Sequence, residues 1–191
     1  MPKKALPQFV APKQASSVKE PFDSPNWIFE TKLDGYRAIA IIDSPGRPGS
    51  GRVTNCPLEP KFPTVRYAIE ALNLRSTILD GEIVALDDQG VPRFQLLQKW
   101  QRRPTGPVVY FLFDLLWEGG RDLTAKTVVQ RRERLGQIIT PVAGIQVGGY
   151  VSKPRERSFQ ARERARTGRD YRKTEDKCLS PRKAVTRLAK D

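Results

Sequence analysis

The sequence predicts an α+β fold in which mainly antiparallel strands are interleaved with helices. Runs rich in β-branched and aromatic residues predict strands at Trp27–Lys32, Tyr36–Ile42 and Thr77–Leu86. Apolar residues spaced three and four apart predict helices at Phe62–Leu74 and Thr127–Ile139. The fold class follows from the presence of both periods in one chain.

Turn residues separate these elements. Asp34-Gly35 separates the first predicted strand from the second. The segment SPGRPGSG predicts a turn after the second strand, and DDQG predicts a turn after the third. Val108–Trp117 is a nearly continuous apolar run, which is typical of a buried strand. The remaining predicted elements are a short helix at Phe94–Trp100 and a strand at Val147–Lys153.

Composition divides the chain of 191 residues into three parts. Residues 1–25 are rich in proline and polar side chains, which predicts an extended lead-in. Residues 26–153 form the predicted domain. Residues 154–191 are dense in charge and poor in apolar side chains, so we expect a basic, weakly structured tail.

The charge of the chain is strongly positive and unevenly distributed. The net charge is +13, and residues 150–191 contribute +8 of it through 14 basic and six acidic side chains. A basic chain of this kind is suited to bind nucleic acid or a polyphosphate ligand. A solvated tail without any ligand explains the charge of the last segment equally well.

The absence of certain residue types excludes several kinds of chemistry. The sequence contains no histidine, which removes Ser-His and Cys-His catalysis and histidine-ligated zinc. Cys56 and Cys178 are far apart and lack metal-site spacing, so a reducing setting is expected. Neither a membrane-spanning run nor a signal peptide is recognisable, so we expect a cytoplasmic protein without a membrane partner.

The segment ETKLDGYRAIA carries the first candidate site. Glu30 and Lys32 would share one face of an extended strand, and Asp34 would join them if the strand continued. Gly35 permits close approach of the backbone to a ligand, and Arg37 offers a fork of donors suited to phosphate. A neutral lysine amine in such a place could attack phosphorus. From these residues alone, a strand edge with a Lys–Asp pair is the simpler interpretation.

Two further segments add carboxylates and aromatic rings. In LDGEIVAL, Asp80 and Glu82 flank Gly81, so that both can point the same way, as a hard cation or ribose hydroxyls require. In FLFDLLW, Asp114 lies in an apolar run, where a carboxylate must be paired or ligated. Phe113 could stack on a base, although core packing is the usual role of a single phenylalanine.

Taken in order, these three motifs resemble those of ATP-dependent DNA ligases. KLDGYR matches their KxDGxR nucleotidyl-transfer motif, LDGEI is similar to their DGE motif, and FDLL is similar to the segment of that name. The surroundings, including FQLLQ and GRDLT, resemble the ligase module of bacterial end-joining DNA ligases. The resemblance extends from about Pro21 to Thr124 and rests on an ordered set of motifs.

The resemblance implies an ATP-grasp-like nucleotidyltransferase domain that uses ATP with Mg²⁺ or Mn²⁺ on nicked or broken duplex DNA, in repair and recombination. It implies that Lys32 is the nucleophile that forms lysyl-AMP, from which AMP passes to a DNA 5′-phosphate. The ATP-binding residues that it implies are Glu30, Arg37, Glu82, Phe113, Lys153 and Lys173. The metal ligands that it implies are Asp34 and Glu82.

The chain departs from the family pattern towards its C-terminal end. Thr54 stands where the family has an arginine, Gly148 where it has a metal-binding glutamate, and Glu175 where it has a lysine. Only 18 residues follow Lys173, too few for the OB-fold domain of family ligases. We therefore expect a shortened domain with reduced activity and no OB-fold domain, helped by an OB-fold domain or repair protein in trans.

Two other functions are compatible with the sequence. A non-catalytic nucleic-acid-binding remnant would use the basic tail on phosphates, and its binding would weaken steeply with salt. An RNA ligase or RNA-capping guanylyltransferase would use the same lysine chemistry. The contexts LDGEIVAL and FDLLW favour a DNA ligase over an RNA ligase or a capping guanylyltransferase.

Overall fold

The computed structural model describes residues 4–18, 26–43, 51–54, 62–100, 102–150 and 185–189. Within these ranges the chain forms nine strands and three helices. In chain order they are β1 (Ser16–Val18), β2 (Trp27–Thr31), β3 (Tyr36–Ile42), β4 (Gly51–Thr54), α1 (Pro63–Ala71), β5 (Thr77–Ala85), α2 (Phe94–Trp100), β6 (Val108–Glu118), β7 (Arg121–Asp122), α3 (Val128–Ile138), β8 (Ile145–Val147) and β9 (Val185–Ala189).

The strands form two sheets. One has the order β1-β9-β2, and the other has the order β4-β3-β5-β6-β7 with β8 paired to β6. All described pairs are antiparallel except β6 with β8. The smaller sheet belongs to a compact unit of Lys13–Lys32 and Gly149–Asp191, and the larger sheet to a unit of Met1–Pro12 and Leu33–Gly148. The predicted α+β class with mainly antiparallel strands is confirmed.

The larger sheet is buried on both faces. Along β3, Ala40 belongs to the main core shared with the three helices, whereas Ile39 and Ile41 belong to a second cluster on the other face. Leu6 and Val10 pack against this second cluster, so part of the predicted lead-in lies on the sheet. Burial on both faces explains why the strands of this sheet read as nearly continuous apolar runs.

The helices begin where the local sequence supplies a start signal. α1 begins at Pro63, whose missing N–H would have no partner in the first turn of a helix, and it buries Val65 and Ile69. α3 begins after Thr127, which forms a capping box with Gln130 through reciprocal side chain to backbone hydrogen bonds. Both helices lie within the predicted ranges, and each is shorter by one or more residues at its ends.

Carboxylates fix two turns of the larger unit. Asp122 accepts hydrogen bonds from the side-chain hydroxyl and backbone N–H of Thr124, which lowers the pKa of this carboxyl below its usual 3.8. Burial raises the pKa of Asp87, but hydrogen bonds from the N–H of Val91 and from Arg93 outweigh it, so the pKa is lowered. No helix in the described part of the chain is long and apolar enough to cross a membrane.

Two strands differ from the sequence-based expectation. The predicted strand Val147–Lys153 was misplaced, because β8 ends at Val147, where its ladder with β6 stops at Leu112. Residues 151–153 lie outside the described ranges. Within the segment predicted to be a weakly structured tail, the described residues 185–189 form β9, which pairs with both β1 and β2.

Candidate functional site

An arginine and a buried aspartate on neighbouring strands form the centre of the candidate site. Arg37 on β3 donates from Nε to Oδ1 of Asp80 on β5 (3.0 Å) and from Nη2 to Oδ2 (2.6 Å). The side chain of Asp80 is 1% exposed and that of Arg37 is 29% exposed. A carboxylate this deeply buried requires a partner, and the two-point contact fixes the plane of the guanidinium. Arg37 is therefore held in one orientation while remaining reachable from solvent.

The strands place Arg37, Asp80 and Glu82 on the same face of the larger sheet. Side chains alternate along β5, where Ile78 belongs to the cluster on the face opposite the helices and Leu79 to the helix-covered core. Asp80 and Glu82 therefore point to the face opposite the helices, and Glu82 is half-buried there. The expectation that these two carboxylates point the same way agrees with the observed alternation.

Phe113 lies beside the guanidinium of Arg37. The Cζ atom of Arg37 is 5.2 Å from the centroid of the Phe113 ring, within the range of a cation–π interaction. Asp80 of β5 is paired with Asp114, and the next residue, Gly81, is paired with Leu112. Phe113 is therefore the additional residue of a β-bulge in β6. The bulge turns the half-buried ring of Phe113 into the site instead of continuing the regular ladder.

Two glycines allow the strands to approach closely around the site. A Cβ atom at Gly35 would overlap the carbonyl oxygen of Ile83 and lie 2.8 Å from Cγ1 of Val84. A Cβ atom at Gly81 would likewise overlap a backbone carbonyl of β6, that of Phe111. The glycines of the KLDGYR and LDGEI motifs are therefore required by the packing of this sheet, apart from any contact with a ligand.

Asp114, which the sequence predicts to be paired or ligated, is paired. Arg131 of α3 donates from Nε to Oδ1 of Asp114 (2.8 Å) and from Nη2 to Oδ2 (2.7 Å). Both side chains are buried, with 6% exposure for Asp114 and 4% for Arg131. Arg131 also donates from Nη1 to the carbonyl of Lys126 (2.6 Å). Asp114 therefore joins α3 to β6.

Lys32 and Glu30 belong to the smaller unit. Glu30 lies in β2, pairs in register with Thr186 of β9, and is half-buried. Lys32 follows the end of β2 and is exposed. It is also the last residue of its segment of the smaller unit, because the larger unit resumes at Leu33. The predicted nucleophile thus immediately precedes, along the chain, the strand that carries Arg37.

The positions that depart from the family pattern are only partly described. Thr54 is the last residue of β4, whereas Lys153, Lys173 and Glu175 lie outside the described ranges. Gly148 follows β8, where its N–H donates to the carbonyl of Leu112 (2.7 Å). A Cβ atom at Gly148 would lie 3.5 Å from the Leu112 carbonyl oxygen and 3.7 Å from Cβ of Phe113, both ordinary contacts. Position 148 therefore adjoins Phe113 and has room for a side chain.

The described carboxylates do not form a metal site by themselves. Within the described ranges, no group of three or more His, Cys, Asp or Glu side chains is placed to hold a metal ion. Both oxygens of Asp80 accept hydrogen bonds from Arg37. The two predicted ligands, Asp34 and Glu82, are exposed and half-buried respectively. The sequence analysis named Asp80 as a possible ligand of a metal cation. It did not predict that Asp80 fixes the side chain of Arg37 through two hydrogen bonds.

Comparisons with known proteins relate this site to a family. A family model described as the ATP dependent DNA ligase domain matches residues 7–171. The chain is 35% identical over 141 residues to the multifunctional non-homologous end joining protein LigD of Pseudomonas aeruginosa, covering 72% of this chain and 16% of that protein. It is 29% identical over 136 residues to the SPbeta prophage-derived DNA ligase-like protein LigB of Bacillus subtilis, covering 68% of this chain and 47% of that protein.

A solved structure shares the fold. The structure described as mycobacterial DNA ligase D complexed with ATP and MES superposes with a TM-score of 0.61 at 24% sequence identity, covering 88% of this chain and 50% of that chain. The likeness supports the α+β class predicted from the sequence. The chain spans between 16% and 50% of the lengths of these three proteins.

Proposed function

The chain belongs to the family of ATP dependent DNA ligase domains, and on this premise we propose that Lys32 reacts with ATP to form lysyl-AMP. AMP then passes to a 5′-phosphate of a nicked or broken DNA duplex. The observation that carries the proposal is the position of Arg37, which contacts both Asp80 and Phe113. One side chain thereby joins the KLDGYR, LDGEI and FDLL motifs on one face of a sheet.

The proposed first step is a substitution at the α-phosphate of ATP. The neutral Nζ of Lys32 attacks phosphorus, a P–N bond forms, and the P–O bond to the departing pyrophosphate breaks. The attacking nitrogen is positively charged once the P–N bond has formed, and it releases one proton to solvent, which leaves a phosphoramidate. Because charge develops on the phosphate oxygens during such a transfer, fixed cations near them lower the barrier. Arg37, held in place by Asp80, is suited to this role.

The other predicted residues take complementary roles in the proposal. The half-buried ring of Phe113 stacks on the adenine, and Glu82 accepts hydrogen bonds from the ribose hydroxyls. Glu30 contacts the adenine from the end of β2. Lys153 and Lys173 would bind phosphates; both lie outside the described ranges. Each role follows from the family motifs and from the chemistry of the side chain.

We further propose the components that this chain requires around it. A divalent cation, Mg²⁺ or Mn²⁺, would be held mainly by the nucleotide phosphates and contacted by Asp34 and Glu82; when bound, it offsets phosphate charge. The sealing of DNA would require an OB-fold domain or a repair protein in trans. A role in DNA repair and recombination fits a cytoplasmic, nucleoid-associated protein.

The test of lysyl-AMP formation is covalent labelling. The protein is incubated with α-labelled ATP and Mg²⁺, denatured, and analysed for label that is stable in base and lost in acid, as expected of a phosphoramidate. Lys32→Ala should abolish the label. Lys126→Ala, which removes another exposed lysine, should retain it. An unlabelled wild-type protein, or equal labelling of Lys32→Ala, contradicts the proposal.

The same assay separates the alternatives. Labelling by α-labelled GTP in preference to ATP would favour a capping guanylyltransferase. Label that passes from the protein to nicked RNA but not to nicked DNA would favour an RNA ligase. An unlabelled protein that still binds DNA in a strongly salt-dependent manner would be a non-catalytic nucleic-acid-binding remnant. The family match to DNA ligase domains supports ATP and DNA over these outcomes.

A further inference from the structure

A cluster of basic side chains lies in the last turn of α2 and in the loop after it, well separated along the chain from any acid. Between Gln89 and Phe113 the sequence contains four basic residues and no aspartate or glutamate. Three of the four lie close together along the chain, at Lys99, Arg102 and Arg103, and all three are exposed. We call these three residues the α2 basic cluster.

The α2 basic cluster differs in its ion pairing from two other exposed arginines, Arg93 and Arg134. Arg93 pairs with Asp87 at 3.0 Å, and Arg134 pairs with Glu118 at 2.6 Å. In the described part of the chain, no carboxylate lies within ion-pair distance of the cluster. The positive charge of the cluster is therefore not neutralised by these neighbours and is available to an external anion.

A buried tryptophan holds the cluster in place. Trp100 is 5% exposed, and its ring stacks on Phe62 with 5.3 Å between the centroids. Its indole N–H donates to the carbonyl of Gly106 (3.3 Å), which ties the end of the loop to the end of the helix. The backbone N–H groups of Arg102 and Arg103 both donate to the carbonyl of Lys99 (3.0 Å each). These hydrogen bonds hold the backbone of Arg102 and Arg103 in the free protein, which reduces the entropy lost on binding.

The cluster lies on a different face from the candidate nucleotide site. Leu97 and Trp100 of α2 belong to the main core, which lies on the helix-covered face of the larger sheet. Arg37 and the strand residues around it lie on the opposite face. A ligand of the α2 basic cluster is therefore distinct from the nucleotide that Arg37 and Phe113 would bind.

We propose that the α2 basic cluster is a second binding site, for the sugar–phosphate backbone of duplex DNA. Arginine forks and a lysine ammonium are the side chains that contact phosphates in such interfaces. The loop after α2 contains no aromatic residue, and the ring of Trp100 at the end of α2 is buried, so this region offers no aromatic surface on which unpaired bases could stack. The site therefore suits a strand whose bases are already paired. This proposal goes beyond lysyl-AMP formation and does not depend on it.

The test compares two variants that lose the same charge. Arg102→Gln/Arg103→Gln removes two cations of the cluster, whereas Arg93→Gln/Arg134→Gln removes two arginines that are paired with carboxylates. Binding to a fluorescently labelled nicked duplex is followed by anisotropy from about 50 to about 200 mM salt. In the cluster variant, the slope of log affinity against log salt should be less steep by about 1.8. Between about 50 and about 200 mM salt, the affinity of this variant should therefore fall by a factor about 12 times smaller than the factor for wild type. Adding Lys99→Gln should lower the slope by a further ~0.9.

The controls make the outcome specific. Thermal unfolding should be unchanged in both variants, because the altered side chains are exposed, and labelling of Lys32 by ATP should also be unchanged. The paired-arginine variant should retain the wild-type slope. Equal slopes for the cluster variant and wild type, tighter binding of single-stranded DNA, or preference for duplex RNA would each overturn the proposal. If the wild-type protein is not labelled by ATP but the cluster variant shows the expected change in slope, the proposed enzymatic function is overturned and the DNA-binding proposal is not.

Discussion

Arg37 meets several demands with one side chain. It neutralises Asp80, which is buried between two strands, and it lies against the ring of Phe113. A lysine at this position could supply the charge but could not make the two parallel hydrogen bonds that fix the guanidinium plane. The arginine of the KLDGYR motif is therefore part of the packing of the sheet as well as a candidate ligand for phosphate.

Gly35 should not tolerate a side chain. Gly35→Ala would place Cβ against the Ile83 carbonyl and 2.8 Å from Cγ1 of Val84, so β3 and β5 would have to separate. We expect a loss of at least about 1–3 kcal/mol of unfolding free energy in urea denaturation, with a loss of lysyl-AMP. Gly149→Ala is the control, because a Cβ atom there meets nothing within 4 Å. Equal stability of the two variants would show that the close approach at Gly35 does not limit packing.

Gly148→Glu should increase the rate of lysyl-AMP formation. The position adjoins Phe113, has ordinary space for a side chain, and corresponds in the family pattern to a metal-binding glutamate. One additional contact of about 1.4 kcal/mol in the transition state would raise the rate about tenfold. Gly148→Gln, with the same shape and no charge, is the matched control. Equal rates for the glutamate and glutamine variants would remove position 148 from the site.

For single residues, the sequence identified the carboxylates that need a partner, but it did not identify which arginine pairs with each. Asp114 was correctly expected to have a partner or a ligand, but its partner, Arg131, follows 17 residues later on another element. Asp80 was predicted to be a possible cation ligand, because its actual partner, Arg37, lies 43 residues away along the chain and is not apparent from the local sequence. Such pairings are set by strand register, which single-sequence patterns do not specify.

Among the elements, α3 is joined to β6 by a buried ion pair. Removing one partner of such a pair leaves a buried charge without compensation. The bidentate contact between Arg131 and Asp114, together with the Thr127 capping box, therefore sets the position of this helix on the sheet.

Arg131→Met should destabilise the protein strongly. It leaves the carboxylate of Asp114 buried and unpaired, so we expect a loss of about 3–5 kcal/mol of unfolding free energy, measured by urea denaturation. Arg134→Met is the matched control on the same helix, where the pair with Glu118 is exposed to solvent. A stability of Arg131→Met equal to that of Arg134→Met would contradict this account of the buried pair.

β9 should be required for the chemistry of Lys32. It lies between β1 and β2, and its residue Leu188 is paired with Ile28 of β2. Leu188→Pro removes a backbone donor from a central strand, so β2 loses its neighbour. We expect about 100-fold less lysyl-AMP with unchanged hydrogen exchange in β5. Leu188→Val, which retains the N–H, should be labelled normally; normal labelling of the proline variant would contradict the pairing.

The elements that the sequence did not predict are those with little local signal. β9 lies in a charge-dense segment and forms through partners more than 150 residues away along the chain, such as Thr31 opposite Val185. β4 follows a run of glycine, proline and serine and has only four residues. By contrast, β3, β5 and β6 are long apolar runs, and their positions were predicted to within one or two residues.

For the whole molecule, the strongly positive charge is suited to binding nucleic acid. The chain carries a net charge of +13 and spans 16% of its Pseudomonas aeruginosa relative. Charge of this sign attracts nucleic acid at long range, but sealing a strand also requires that the reacting ends be aligned. These two requirements can be met by different parts of an assembly.

The isolated chain should form lysyl-AMP without sealing nicks at an appreciable rate. With nicked duplex DNA and ATP, we expect labelled protein and little or no ligated product on a denaturing gel. Addition of an OB-fold domain taken from a bacterial end-joining ligase should increase the product. A complete end-joining ligase serves as the positive control. Sealing by the isolated chain as fast as by that control would contradict this prediction.

The central position of β9 also has a consequence for the synthesis of the protein on the ribosome. Thr31 of β2 and its partner Val185 of β9 are separated by 154 positions, which take about 8–30 s to translate. Throughout that interval the strand leading to Lys32 lacks its neighbour, whereas residues 36–147, which contain all described strands of the larger sheet, are completed within it, before β9 is made. A nascent chain would therefore complete the larger sheet before the strand that precedes Lys32 gains its partner, and a chain arrested before β9 should not be labelled by ATP.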